Sequence, residues 1–192
     1  MAAAIFSTTA QEGIDINAVF IQSSGTPEYP APPFIAGELA WGTDGSEWVY
    51  CTASITIAPG SVVVASAVPG QWSVALIGGA TIVAASAPVG QLVGVTGGAS
   101  GTVAIPAPAS PQTATYFWVQ RAGNAPRVNS AAATTKNAQL YGSATVAGIV
   151  SSTAGGVGTT YQINGLVISQ ATGSTAGPNT AVLNYPVVGA SA

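Results

Sequence analysis

Histidine is absent from the 192 residues, which removes Ser-His-Asp and Cys-His nucleophile activation and histidine metal ligation together. Cysteine occurs once, as Cys51, so no intramolecular disulfide forms, and one thiol without histidine leaves no zinc set. The ordinary reading of a lone cysteine is a small buried hydrophobe. Charge is nearly as scarce. Three Lys or Arg and six Asp or Glu make up 5% of the chain, against about a quarter in average soluble domains. A net charge of -3 provides no basic footprint for nucleic acid and no cationic cluster for anionic lipid.

Long apolar runs are missing as well. The nearest candidate for a membrane span, residues 73–90, is broken by Gly, Thr, Ser and Pro, short of the roughly 20 apolar residues a spanning helix needs. The opening "MAAAIFSTTAQEGIDI" has no cationic n-region, so the expectation is a soluble, unsecreted chain. Neither a phosphate-binding Gly-x-x-x-x-Gly-Lys nor a Gly-x-Gly-x-x-Gly nor a Gly-x-Ser-x-Gly occurs, and no cofactor is expected.

The few charges are segregated. Glu12, Asp15, Glu28, Glu38, Asp44 and Glu47 lie in the first quarter, whereas Arg121, Arg127 and Lys136 lie together in the middle. An acidic front and a basic middle can meet, within one subunit or between two. Residues 1–37 read as an extended arm, because the prolines between Pro27 and Pro33 forbid helix and disfavour a central strand. Phe20, Tyr29 and Phe34 give that arm apolar side chains with which to dock.

Residues 38–192 read as a β-domain. In "WVYCTASITI" Val49, Cys51, Ala53, Ile55 and Ile57 alternate with Trp48, Tyr50, Thr52, Ser54 and Thr56, the pattern of a half-buried strand with Cys51 facing inward. Short Val- and Ile-rich runs follow ("SVVVASAV", "QWSVALI", "ATIVAAS", "QLVGVT", "TVAIPA"), separated by Pro-Gly and Gly-Gly turns. The fold class expected is all-β, a small antiparallel barrel or sandwich with the N-terminal arm. One short helix at most is expected, in "NSAAATTKNAQLY".

Two stretches hold most of the remaining chemistry. "GELAWGTDGSEW" supplies Glu38, Asp44 and Glu47 beside Trp41 and Trp48; paired carboxylates next to aromatic platforms suit glycoside hydrolysis. The spacing lacks the regular oxygen ligands of an EF-hand, and Asp44-Gly45 more simply marks a hairpin turn. "TYFWVQRAGNAPRV" puts Tyr116, Trp118 and Gln120 on one strand face and Phe117, Val119 and Arg121 on the other. This predicts a core strand that ends at a Gly123-Asn124 turn, with Arg121 and Arg127 at a rim that another subunit covers.

The order of segments carries a resemblance. "DGSEWVYCTASITIAPGSVVV", "GQLVGVTGG", "TYFWVQRAGNAPRV", "LYGSATVAGIVSS" and "YQINGLVISQATG", spanning residues 41 to about 172, resemble the capsid decoration, or cement, proteins of tailed bacteriophages. The resemblance implies a non-enzymatic virion protein that is made in the host cytoplasm. It also implies binding to the outer surface of the major capsid protein lattice, usually as a homotrimer, with no cofactor, nucleic acid or membrane. The low charge departs from that pattern and favours apolar and backbone contacts over salt bridges. A head fibre or tail-associated protein, with a carbohydrate-binding role, is the alternative.

Overall fold

The computed structural model describes residues 14–23, 32–66, 72–78, 90–109, 112–155 and 160–191. The described residues form an all-β fold without a helix. Its strands are β1 (Phe20–Ser23), β2 (Leu39–Trp41), β3 (Glu47–Ala53), β4 (Val62–Ala65), β5 (Val74–Leu76), β6 (Leu92–Val95), β7 (Gln112–Ser130), β8 (Leu140–Gly142), β9 (Val150–Ser151), β10 (Tyr161–Ile168) and β11 (Gly177–Ser191).

All eleven join one sheet, and β7 is its spine. On one edge β7 pairs with β3 and then, in parallel, with β9; on the other it pairs with β1, β6 and β11 in succession. Thr115, Tyr116, Gln120, Ala122 and Ser130 each have partners on both edges. The pairings run from β7 through β9, β8, β10 and β11 back to β7, a closed circuit, while β1, β2 and β5 end the three remaining branches. Closure of this kind satisfies backbone groups that an open edge would leave unpaired.

Three apolar clusters fill the sheet. Aliphatic side chains of β4, β6 and β8–β11 form the largest, including Val62, Val93, Leu140, Ile163, Leu166 and Val188. A second joins Val49, Cys51, Ile57, Val63, Phe117 and Val119. The third is aromatic: Trp48, Tyr50 and Trp118 with Ala40, covered by Ile14, Ile16, Phe34 and Tyr116. Cys51 is fully buried, as its place on the inward face required, and burial pushes its thiol pKa up. β3 is buried on both faces instead of one, because the segments at residues 14–16 and 34 cover the face that holds Trp48 and Tyr50.

Several local expectations change for identifiable reasons. β7 does not end at Gly123-Asn124 but continues to Ser130. Gly123 lies at φ +94°, where a Cβ would come 2.9 Å from Ser46 Cα, so glycine lets the strand bend without breaking. The helix anticipated in "NSAAATTKNAQLY" is two turns. Ala133 and Asn137 take left-handed φ values of 54° and 57°, and their amides donate to Gly173 O and Ile168 O across the fold. Thr134 Oγ1 donates to Ala131 O, the local competition by which Thr, Ser and Asn displace helix. "TVAIPA" yields a single bridge, Ile105 to Ile57, and no strand; Pro106 has no amide to extend a ladder. "ATIVAAS" lies outside the described residues. The Asp44-Gly45 hairpin joins β2 to β3 as expected: Gly42 N donates to Ser46 O (2.7 Å) and Ser46 N to Asp44 Oδ1 (2.9 Å).

Candidate functional site

The acidic front and the basic middle do meet, within the chain, at Glu47. Four strands send a side chain to this point. Trp41 of β2 is the direct cross-strand partner of Glu47 on β3. Its Nε1–H donates to Glu47 Oε2 at 3.1 Å, and the Tyr185 hydroxyl of β11 donates to the same oxygen at 2.8 Å. Arg121 of β7 completes the group, with Nε 3.2 Å from Glu47 Oε1 and its guanidinium carbon 5.0 Å from the centre of the Tyr185 ring. Nε is at ion-pair distance without hydrogen-bond alignment to any described residue. Glu47 is only 5% exposed, whereas Trp41 and Tyr185 are 43% and 49% exposed. A buried carboxylate therefore fixes the orientation of two surface rings.

Backbone irregularities deliver two of the four side chains. Between β3 and β7 the register passes from Trp48↔Gln120 to Glu47↔Ala122, which leaves Arg121 as an extra residue. Between β10 and β11 it passes from Asn164↔Val187 to Leu166↔Leu183, so that Asn184, Tyr185 and Pro186 oppose Gly165 alone. Such bulges re-aim side chains and are over-represented next to functional sites. Tyr185 sits at φ 47°, sparsely populated space for a bulky residue. Gly165, at φ +84°, accommodates the approach, because a Cβ there would lie 2.5 Å from Asn184 O. Gln120 stabilises the first bulge from the opposite face; its buried Nε2 donates to Ala122 O and Asn124 O. The hydrogen bond and the negative charge of Glu47 raise the pKa of the Tyr185 phenol.

The residues anticipated as an interface are dispersed. Phe20 on β1 is half-buried opposite Tyr116, ring centroids 6.2 Å apart. Phe34 packs edge-on against Tyr50 at 5.3 Å and Trp118 at 5.1 Å. Both therefore lie on the chain's own aromatic cluster. Tyr29 falls outside the described residues. Arg121 belongs to the Glu47 group, and Arg127 lies apart from it, half-buried beside Gly60 and Gly101. The three carboxylates of "GELAWGTDGSEW" also have separate partners. Glu38 Oε2 accepts from Ile35 N at 3.1 Å, Asp44 Oδ1 from Ser46 N, and Glu47 from Trp41 and Tyr185. Hydrogen bonds from Ser46 hold the Asp44 carboxyl below its ordinary pKa. Among the described residues no group of three or more Cys, Asp or Glu is placed to hold a metal.

Two depressions adjoin β7. One of about 260 Å³ is lined by Asp15, Asn17, Asp44, Trp48 and Gln120, on the side of β3 and β7 opposite Glu47. A broader one of about 440 Å³ is lined by Asn124, Pro126, Ser169, Thr180 and Val182.

No protein-family model matches the chain, and a search of curated proteins finds no match. No helix among the described residues is long and apolar enough to cross a membrane.

The sequence singled out Trp41, Glu47 and Arg121 but not Tyr185. A signal for it was present in "NYPV", where Pro186 interrupts an otherwise apolar strand; proline within a strand pattern marks an edge or a bulge.

Proposed function

We propose that this protein is a bacteriophage cement subunit that binds the outer surface of the major capsid protein lattice and stabilises the head. Its place is then the virion surface, as a homotrimer, and its work is mechanical instead of catalytic. The observation that carries the reading is the character of the exterior. Apolar side chains stand out from it, Ile35 at 77% exposure, Val146 at 49% and Val182 at 45% among them, on a chain with only nine formal side-chain charges. Little electrostatic repulsion keeps such surfaces apart, and their burial is favourable by about 25 cal/mol per Å². The resemblance in segment order supports the major capsid protein as the partner.

A shell offers many equivalent positions, so individually modest contacts accumulate. Purified chain mixed with expanded heads that lack it should co-sediment to saturation near one copy per major capsid subunit. A few copies per head, or none, would refute lattice-wide cementing.

A further inference from the structure

We infer that the Glu47 cluster is a binding site for a neutral saccharide, displayed on the exposed rings of Trp41 and Tyr185. This goes beyond cementing and does not depend on it. Both rings point their single polar hydrogen at one oxygen of Glu47, so what they turn outward is aromatic surface without an unsatisfied donor. The negative π face of such a ring attracts the slightly positive hydrogens on the C–H face of a sugar ring. Because the shared carboxylate already holds both rings, little side-chain freedom is lost when a ligand settles on them.

The electrostatics select the class of saccharide. Glu47 and Arg121 cancel one another at 3.2 Å, so the site holds no unpaired charge for an acidic or a basic ligand. Asn184, adjacent to Tyr185 in the chain, is exposed; a neutral amide both donates to and accepts from hydroxyl groups. Arg121 keeps 21% of its side chain exposed as a further donor to ligand oxygens. Two bulges converge here, one of them holding a tyrosine in left-handed backbone. The strained backbone holds the ring at the surface, half in solvent, with its hydroxyl on Glu47.

The test uses the full chain, titrated with maltotriose, cellotriose, chitotriose and, as an acidic control, trigalacturonate, while tryptophan fluorescence is followed. A saturable change with at least one neutral trisaccharide is expected. Trp41→Ala should weaken it at least tenfold, and so should Tyr185→Asn, which suits left-handed backbone, with circular dichroism unchanged in both variants. Absence of a saturable change with every neutral sugar, preference for trigalacturonate, or full binding by Trp41→Ala would each overturn the assignment. If the wild-type chain binds no sugar while Trp41→Ala loses attachment to heads, the patch is a protein contact and the saccharide proposal fails.

Discussion

Two aromatic groups lie back to back across β3 and β7, built from the same kinds of residue and put to opposite use. On one side Trp48, Tyr50 and Trp118 are at most 3% exposed, closed over by Phe34, Ile14 and Ile16. On the other, Trp41 and Tyr185 stand out from the surface, held at their polar ends by Glu47, with Arg121 over the Tyr185 ring. The difference is the lid: Ile14, Ile16 and Phe34 cover one group, while Trp41 and Tyr185 keep nearly half of their surface in solvent. A covered aromatic contributes to folding through buried area, whereas an exposed aromatic in a fixed orientation contributes little to folding and is available to a ligand.

The largest effect should come from breaking the covered group. Trp118→Ala removes the largest fully buried side chain among the described residues and should cost about 3–5 kcal/mol in denaturant unfolding. Phe34→Ala opens the lid while leaving β3 and β7 intact, and a loss of about 2 kcal/mol is expected from the half-buried ring. An unchanged melting temperature for Phe34→Ala would mean that the lid does not stabilise the covered side.

Glu47→Gln probes the open group. It removes the charge beside Arg121 but preserves an oxygen for Trp41 and Tyr185, so a loss of about 1 kcal/mol should accompany it. Trp41→Ala should cost about 1 kcal/mol, well below Trp118→Ala, since 43% of Trp41 is already solvated and its main internal tie is the hydrogen bond to Glu47. A loss as large as that of Trp118→Ala would erase the distinction between the two sides.

Alkaline pH sharpens the comparison. Burial first, and the neighbouring Tyr116 second, push the Tyr50 phenol from 10.0 up to about 12. A group whose folded pKa is raised contributes stability that is intact below the unfolded value and is lost as pH rises through the folded one. Stability should therefore decline between pH 10 and about 12, and Tyr50→Phe should flatten that decline in unfolding experiments across the range.

Much of this architecture was legible in the order of residues. Alternation in "WVYCTA" set Val49 and Cys51 apart from Trp48 and Tyr50, and in "TYFWVQ" Phe117 and Val119 apart from Trp118; the sheet then joined the matching faces into two clusters. Asp44-Gly45 marked its hairpin. The bends were harder to read. Gly123 looked like a strand end because a glycine permits both a turn and a kink, and the choice rests on Ser46 across the sheet and on β11, which extends the ladder beyond it. Arg121 was seen as a rim residue, but its partner lies 74 positions earlier and Tyr185 a further 64 later. No local pattern links such distant positions.

By itself the sequence determined the absence of histidine chemistry, the scarcity of charge, the period-two strands and the inward direction of Cys51, because each follows from composition or from alternation within a few residues. Tertiary structure alone decided which aromatic group would be covered and which left open. It also decided that two bulges would bring Arg121 and Tyr185 onto one carboxylate. The physical reason is that a bulge shifts the register by one residue at Arg121 and by two at Tyr185, and its consequence depends on what the neighbouring strand places opposite.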